Sequence, residues 1–150
     1  VLLWTGGITG QDAAETVAVE TDDRSNRIEA ASNFQTSDER VFAIGDAALV
    51  DQPGQEQPAP PTAQAAWQAA EVAGENIARE IRGEPLKEWT YDDKGTLISV
   101  GSKAVAHNVK GLPIDTFGGP AAKALKKTVA ARWINKVTGF GDAAKAFPDM

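Results

Sequence analysis

The chain has 150 residues, of which 42% are hydrophobic and 24% charged, with a net charge of −6; that is about one domain's worth of chain with enough apolar residues for a core. It holds no run of about twenty apolar residues that could cross a bilayer, and its acidic balance disfavours nucleic acid as a partner. Zero cysteines and one histidine, His107, exclude a disulfide framework, a redox CxxC and a thiolate site and leave no His cluster for zinc, so no metal is expected.

In chain order, Val1 to Trp4 is an apolar run closed by Thr5-Gly6-Gly7, the pattern of a buried strand ending in a turn. A chain that opens on a strand reads as a piece of something longer. Residues 11–40 are polar, with strand-like stretches at Thr16–Val19 and Arg27–Ala31, and Val41–Ile44 is a predicted buried strand running into Gly45-Asp46. Between Asp51 and Thr62 stand Pro53, Pro58, Pro60 and Pro61, whose fixed φ and missing donors make this an extended surface loop.

A helix follows. Thr62 is a natural N-cap, no proline interrupts the chain to Arg82, and Gly83 and Pro85 supply the stop. Ala66, Ala70, Ala73, Ile77 and Ile81 form one stripe at helical spacing, and its small residues suit close packing on a sheet or a flat ligand. Leu97–Val100 and Ala104–Ala106 then read as a small antiparallel sheet. Gly118-Gly119-Pro120 introduces a last helix from Ala121 to about Val137, with an apolar ridge of Leu125, Val129, Trp133 and Val137 that Lys126 interrupts. From Thr138 the Gly- and Ala-rich end is expected to be poorly ordered.

Three motifs carry chemistry. Thr5-Gly6-Gly7-Ile8-Thr9-Gly10 lacks the first glycine of a G-x-G-x-x-G dinucleotide fingerprint, so it reads as a crossover between domains. Gly45-Asp46 after a strand either caps a turn or offers an acceptor-only carboxylate to a ribose or ribitol hydroxyl, with Gly45 admitting the ligand closely. Pro60-Pro61-Thr62-Ala63-Gln64-Ala65-Ala66-Trp67-Gln68 is a helix start, where unpaired N–H groups favour negative charge. Gln64 and Gln68 share a face there, either solvated or turned to a carbonyl-bearing ligand. Trp67 reads as core and His107 as a surface residue.

The order WTGG, VFAIGD, PPTAQAAWQ, long helix, small sheet and basic helix resembles the C-terminal part of type II NADH dehydrogenases, FAD-dependent NADH:quinone oxidoreductases of the pyridine nucleotide-disulfide oxidoreductase superfamily. The resemblance implies an α/β fold: the C-terminal part of a flavoprotein with two dinucleotide-binding (Rossmann-type) domains, plus a small antiparallel sheet and a C-terminal helix. It divides the chain into residues 1–37, the end of the NADH domain and the return to the FAD domain; 38–83, the rest of the FAD domain; and 84–150, a small-sheet and membrane-association region. It implies that Asp46 binds the FAD ribityl chain and that Gly45, Thr62, Ala63 and Gln64 border the flavin. Gln64, Gln68, Gly6 and Gly7 would line the quinone and nicotinamide sites. No catalytic residue is assigned.

Both glycine fingerprints of that family are missing, so these residues alone are expected neither to retain FAD nor to turn over NADH. Residues 121–150 carry six Lys/Arg against Asp142 and Asp149, hence +4. In a family that uses a lipid-soluble quinone, this implies a basic helix on the inner face of the cell membrane, on the cytoplasmic side. The plainer alternative is a helix packed on the sheet with solvated lysines. A homodimer is a further expectation. The rival readings are another two-dinucleotide-binding reductase, such as a sulfide:quinone or disulfide reductase, which the absence of cysteine disfavours, and a non-catalytic α/β interaction or oligomerisation domain.

Overall fold

The computed structural model describes residues 1–2 and 7–149. The chain divides into two compact units, residues 1–93 and 94–150. Trp89 belongs to the first unit's core, where it is 6% exposed. The predicted strand at Val1–Trp4 lies largely outside the described residues, and Gly7 is irregular and exposed.

The first unit is built on two short parallel strands, β1 (Ile28–Ala30) and β2 (Ala48–Val50), paired Ile28 to Ala48 and Ala30 to Val50. Helix α1 (Ala63–Arg82) follows the proline loop. Both predicted ends of α1 are present. Thr62 Oγ1 accepts from the Ala65 N–H at 3.2 Å, and Gly83 closes the helix at φ 66°, ψ 29°.

The buried face is Ala65, Ala69, Ala73 and Asn76, one step round from the stripe expected at Ala66, Ala70, Ala73, Ile77 and Ile81; Ile81 is 82% exposed. Hydropathy favours the stripe that ends in Ile77 and Ile81, yet those two residues are exposed. Asn76 decides it through hydrogen bonds that hydropathy does not register. Its Nδ2 donates to the carbonyls of Asn33 (3.1 Å) and Lys87 (2.8 Å), and its Oδ1 accepts from the Lys87 N–H (2.9 Å).

Two strand expectations fail. Thr16 ends a 3-10 turn, Asp12–Thr16, in which its Oγ1 donates to the Ala13 carbonyl at 2.7 Å, and no strand follows over 17–19. Val41–Ile44 makes only a single bridge, Phe42 to Gln35, flanked by bonds from Thr36 N to Val41 O and Ala43 N to Phe34 O, both 3.0 Å. Gly45 at φ 71° then turns the chain through a 3-10 turn, Gly45–Ala47, so ladder pairing starts only at Ala48. Packed between these elements and α1 are Phe34 and Trp89, with ring centroids 5.3 Å apart.

In the second unit, β3 (Thr96–Val100), β4 (Lys103–His107) and β5 (Thr116–Gly118) form an antiparallel sheet in that order. Gly101-Ser102 joins β3 to β4 as a two-residue turn, with Gly101 at φ 57°, the positive φ that such hairpin turns demand at their first central position. Helix α2 (Gly119–Thr138) packs Ala122 and Leu125 on the sheet face made by Leu97, Ala104, Ala106 and Phe117. Past Gly139, at φ 104°, the end expected to be poorly ordered forms α3 (Phe140–Ala146) and a 3-10 turn, Phe147–Asp149.

Candidate functional site

The strongest candidate site lies where the Gly45–Ala47 turn meets the start of α1. The proline loop carries the chain there from β2: Ala59 N donates to Val50 O at 2.9 Å and Thr62 N to Pro60 O at 2.8 Å. A Cβ placed on Gly45 would meet only Ala66 Cβ, at 3.8 Å, so the backbone at Gly45 stays approachable. Beneath it, Gly45, Ala48, Pro60, Ala66 and Trp89 border a hollow of about 10 Å³, room for about one water. A larger ligand must therefore lie across the rim.

The rim has a definite chemistry. Asp46 is exposed, and its position is set by a residue the sequence reading passed over. Arg27, 6% exposed, donates from Nε to the Asp46 carbonyl at 2.9 Å and from an Nη to the Ala48 carbonyl. Burial pushes the Arg27 guanidinium down from its ordinary value, and the Asp46 and Asp22 carboxylates push it back up; an arginine stays charged under such shifts. Arg27 uses the backbone of Asp46 and leaves the carboxylate facing outward. Across the rim, the Ala63 N–H at the first helical position has no intrahelical acceptor. With the helix dipole it gives this edge a partial positive charge.

Thr62 and Tyr91 close one side. Burial, then the Asp93 carboxylate, pushes the Tyr91 phenol up, while a hydrogen bond shared with Thr62 pulls it the other way. The Tyr91 hydroxyl also donates toward Asp93 Oδ1 at 3.4 Å. Tyr91 stands in a stretch that reads as a turn, so no local pattern marks this contact.

The other expected site residues are placed as follows. Gln64 is half-buried in the first turn of α1. Gln68 grips the backbone of Asp92, donating to its carbonyl at 2.9 Å and accepting from its N–H at 3.0 Å. One N–H and one lone pair of that amide are left for another partner. Gln52 does similar work, accepting from the Tyr91 N–H at 2.7 Å. Gln52, Gln68 and Asn76, with one backbone bond from the Trp89 N–H to the Ser32 carbonyl at 2.9 Å, hold residues 87–92 in place without a sheet. Gly7 is exposed, and Gly6 lies outside the described residues. His107 Nδ1 sits 2.6 Å from Thr116 Oγ1, a cross-strand pair in the second unit. Among the described residues no group of three His, Cys, Asp or Glu could hold a metal ion, and no helix is long and apolar enough to cross a membrane.

Comparison with known proteins bears on this site. The profile of the family described as "Pyridine nucleotide-disulphide oxidoreductase" matches residues 1–70, the span that holds Gly45, Asp46 and the first turn of α1. The chain is 38% identical over 107 residues to the "Type II NADH:quinone oxidoreductase" of Staphylococcus aureus (strain NCTC 8325 / PS 47), covering 71% of this chain and 26% of the relative. The protein of the same description from strain MSSA476 is 37% identical over 108 residues, with the same coverage. The chain thus spans about a quarter of the length of the curated relatives it matches.

Proposed function

The chain is related to the type II NADH:quinone oxidoreductases, and from that premise we propose that it forms part of an FAD-dependent enzyme passing electrons from NADH to a quinone. The observation that carries the reading is the meeting of Gly45-Asp46 with the start of α1 at an open rim. This rim fits the sugar-alcohol and pyrimidine end of a flavin. It offers an outward carboxylate, a glycine with no Cβ in the way, and a helix N-terminus for negative charge.

Asp46 and Gly45 hold the ribityl chain in this reading, and Thr62, Ala63 and Gln64 border the ring. When bound, the flavin supplies the redox chemistry, taking hydride from NADH and releasing electrons to quinone. The chain's own residues bind and orient. Asp46 accepts from the ribityl hydroxyls, and the Ala63 N–H faces the edge that becomes electron-rich. Gln64 lines the acceptor side, with Gln68 using its remaining amide capacity. Gly6 and Gly7 approach the nicotinamide side. No proton transfer is assigned.

The rest of the FAD domain and most of the NADH domain, the two Rossmann-type domains, are supplied by residues beyond these 150 in this reading, which accords with the match to 26% of the relatives' length. The same reading puts the protein on the cytoplasmic face of the cell membrane. In its support, Val137 and Phe140 are 63% and 80% exposed at the end of a basic helix, although α2's Ala122 and Leu125 face the sheet. Homodimerisation belongs to this reading too.

The test measures bound flavin and NADH oxidation with a soluble quinone, using the longer protein that carries these residues. Asp46→Ala is expected to lower flavin occupancy and the rate in parallel. Full occupancy with full rate in that variant would sink the assignment. A stoichiometric flavin absorption from the 150-residue chain alone would show that its own residues complete the pocket.

A further inference from the structure

We infer that the second unit contains an anion site, built to take a phosphate group, in the hollow between the β3–β4 hairpin and α2. The cavity is about 420 Å³, within the roughly 300–1,000 Å³ of small-molecule sites. Its polar lining is Ser99, Ser102, Lys103, Lys123, Lys126 and Lys127. Two elements contribute: the hairpin supplies Ser99, Ser102 and Lys103, and α2 supplies Lys123 with Lys126 and Lys127, three and four residues after it and so its neighbours on the helix surface.

The charges in this hollow are unbalanced. Apart from Asp149 and Met150, whose side chains are not described, no carboxylate lies within 4.0 Å of any of these four lysines. Lys127 is tethered to the Pro148 carbonyl at 3.0 Å and lies 5.8 Å from the Phe147 ring centroid, which fixes one wall. Lys126 Nζ donates to Ser99 Oγ at 2.5 Å, which binds the helix wall to the hairpin wall and leaves the hydroxyl proton available to an acceptor. Gathering like charges in one hollow costs free energy that a multiply charged anion recovers. Lysine ammoniums act as point charges on phosphate, and neighbouring hydroxyls donate to its oxygens. No aromatic or large aliphatic side chain stands among the lining residues, so the recognised part of the ligand is the charged group.

A phosphate group of this kind belongs either to a lipid headgroup or to a free phosphorylated molecule. The site lies within residues 94–150 and does not rest on the flavin reading; in the lipid case it gives the membrane reading a specific contact.

The test follows backbone amide NMR of the chain titrated with inorganic phosphate against chloride at matched ionic strength. Shifts are expected to centre on residues 99–103 and 123–127. Lys103→Gln with Lys123→Gln should weaken binding about fivefold per lysine removed, and arginine at both positions should retain it. Lys136→Gln with Lys145→Gln, equal in charge lost, should leave it unchanged. Phosphate shifts no larger than those with chloride would overturn the proposal, and so would equal losses in the two glutamine pairs. Vesicles of phosphatidylglycerol in phosphatidylcholine, run beside glycerol phosphate, identify the source. A vesicle-binding loss specific to the Lys103 and Lys123 pair assigns the lipid headgroup. Glycerol phosphate binding without such a loss assigns a free phosphate ester.

Discussion

The two units solve the problem of a small core in opposite ways. Residues 1–93 carry eighteen Asp/Glu against six Lys/Arg, and residues 94–150 carry nine Lys/Arg against three Asp; these are −12 and +6. The acidic unit is held by large buried groups, Phe34, Trp89 and the fully buried Asn76. Among its described residues the basic unit buries only alanines outright, Ala104, Ala106 and Ala122 in the sheet–helix layer, and relies on hairpin pairing and half-buried neighbours. Specificity in the first unit therefore resides in a few side chains whose loss is severe. In the second it is spread over backbone pairing, and the most distinctive side chains there are the lysines that line the hollow between hairpin and helix.

The largest expected effect tests that contrast directly. Trp89→Ala should destabilise the acidic unit by about 3–5 kcal/mol, the range for a large aromatic removed from a core, as read by denaturant unfolding. Leu125→Ala, at a half-buried position in the basic unit, should cost about 1–2 kcal/mol, below the range for fully buried leucines. Equal costs would mean that the first unit is not organised around its aromatic pair.

Asn76→Ala comes next. It leaves the Lys87 N–H and the Asn33 and Lys87 carbonyls without their partner, which should cost about 2–3 kcal/mol. Amide exchange should quicken first at Lys87 and Trp89, since the segment 87–92 hangs on such side chains. A variant whose exchange is unchanged there would show that Gln52, Gln68 and the bond from the Trp89 N–H to the Ser32 carbonyl hold the segment without Asn76.

How much of this was legible follows the same division. Helix α1 with its Thr62 cap and Gly83 stop, the β3–β4 hairpin and α2 are local patterns, and local patterns survive in a single sequence. What was hidden depends on polar groups that bond to backbone far along the chain. Arg27 reaches carbonyls nineteen and twenty-one residues away, and Gln68 reaches Asp92, twenty-four residues away. Hydropathy marks both as surface. The strand expected at Val41–Ile44 was misplaced for a related reason: apolar residues show that the segment is partly buried, but the positive φ at Gly45 decides where pairing begins. At the candidate site, Gly45, Asp46 and the start of α1 stand in local motifs, whereas Arg27 and Tyr91, which frame them, stand in none.

A smaller effect is expected at the cap. Thr62→Ala removes the acceptor for the Ala65 N–H and should cost about 1 kcal/mol. It also removes the hydrogen bond to Tyr91, whose phenol should then titrate still higher, because the shared bond is what lowers it. Ultraviolet titration of Tyr91 reads this, and an unmoved phenol would show that the two hydroxyls do not interact.

The smallest effect separates the units by pH. Arg40 holds the Asp38 carboxyl at about 2, through its side-chain bonds first and its backbone N–H second. Asp22, Glu75 and Glu84, all in the acidic unit, are also lowered, chiefly by hydrogen bonds from Ser25, Lys87 and Arg82 respectively. Each depressed carboxylate contributes stability that is present above its unfolded value, near 4, and is lost as pH falls through its folded value. For Asp38 that window runs from roughly pH 4 down to about 2. These carboxylates are exposed, so each contribution is small and falls with added salt. Acid titration followed by carboxyl NMR should show the Asp38 midpoint return to the ordinary range in Arg40→Ala. The acidic unit should weaken across that window while the amides of β3, β4 and α2 hold their positions, since all four of these lowered carboxylates lie in residues 1–93. Simultaneous loss of both sets of signals would show instead that acid acts through net charge alone.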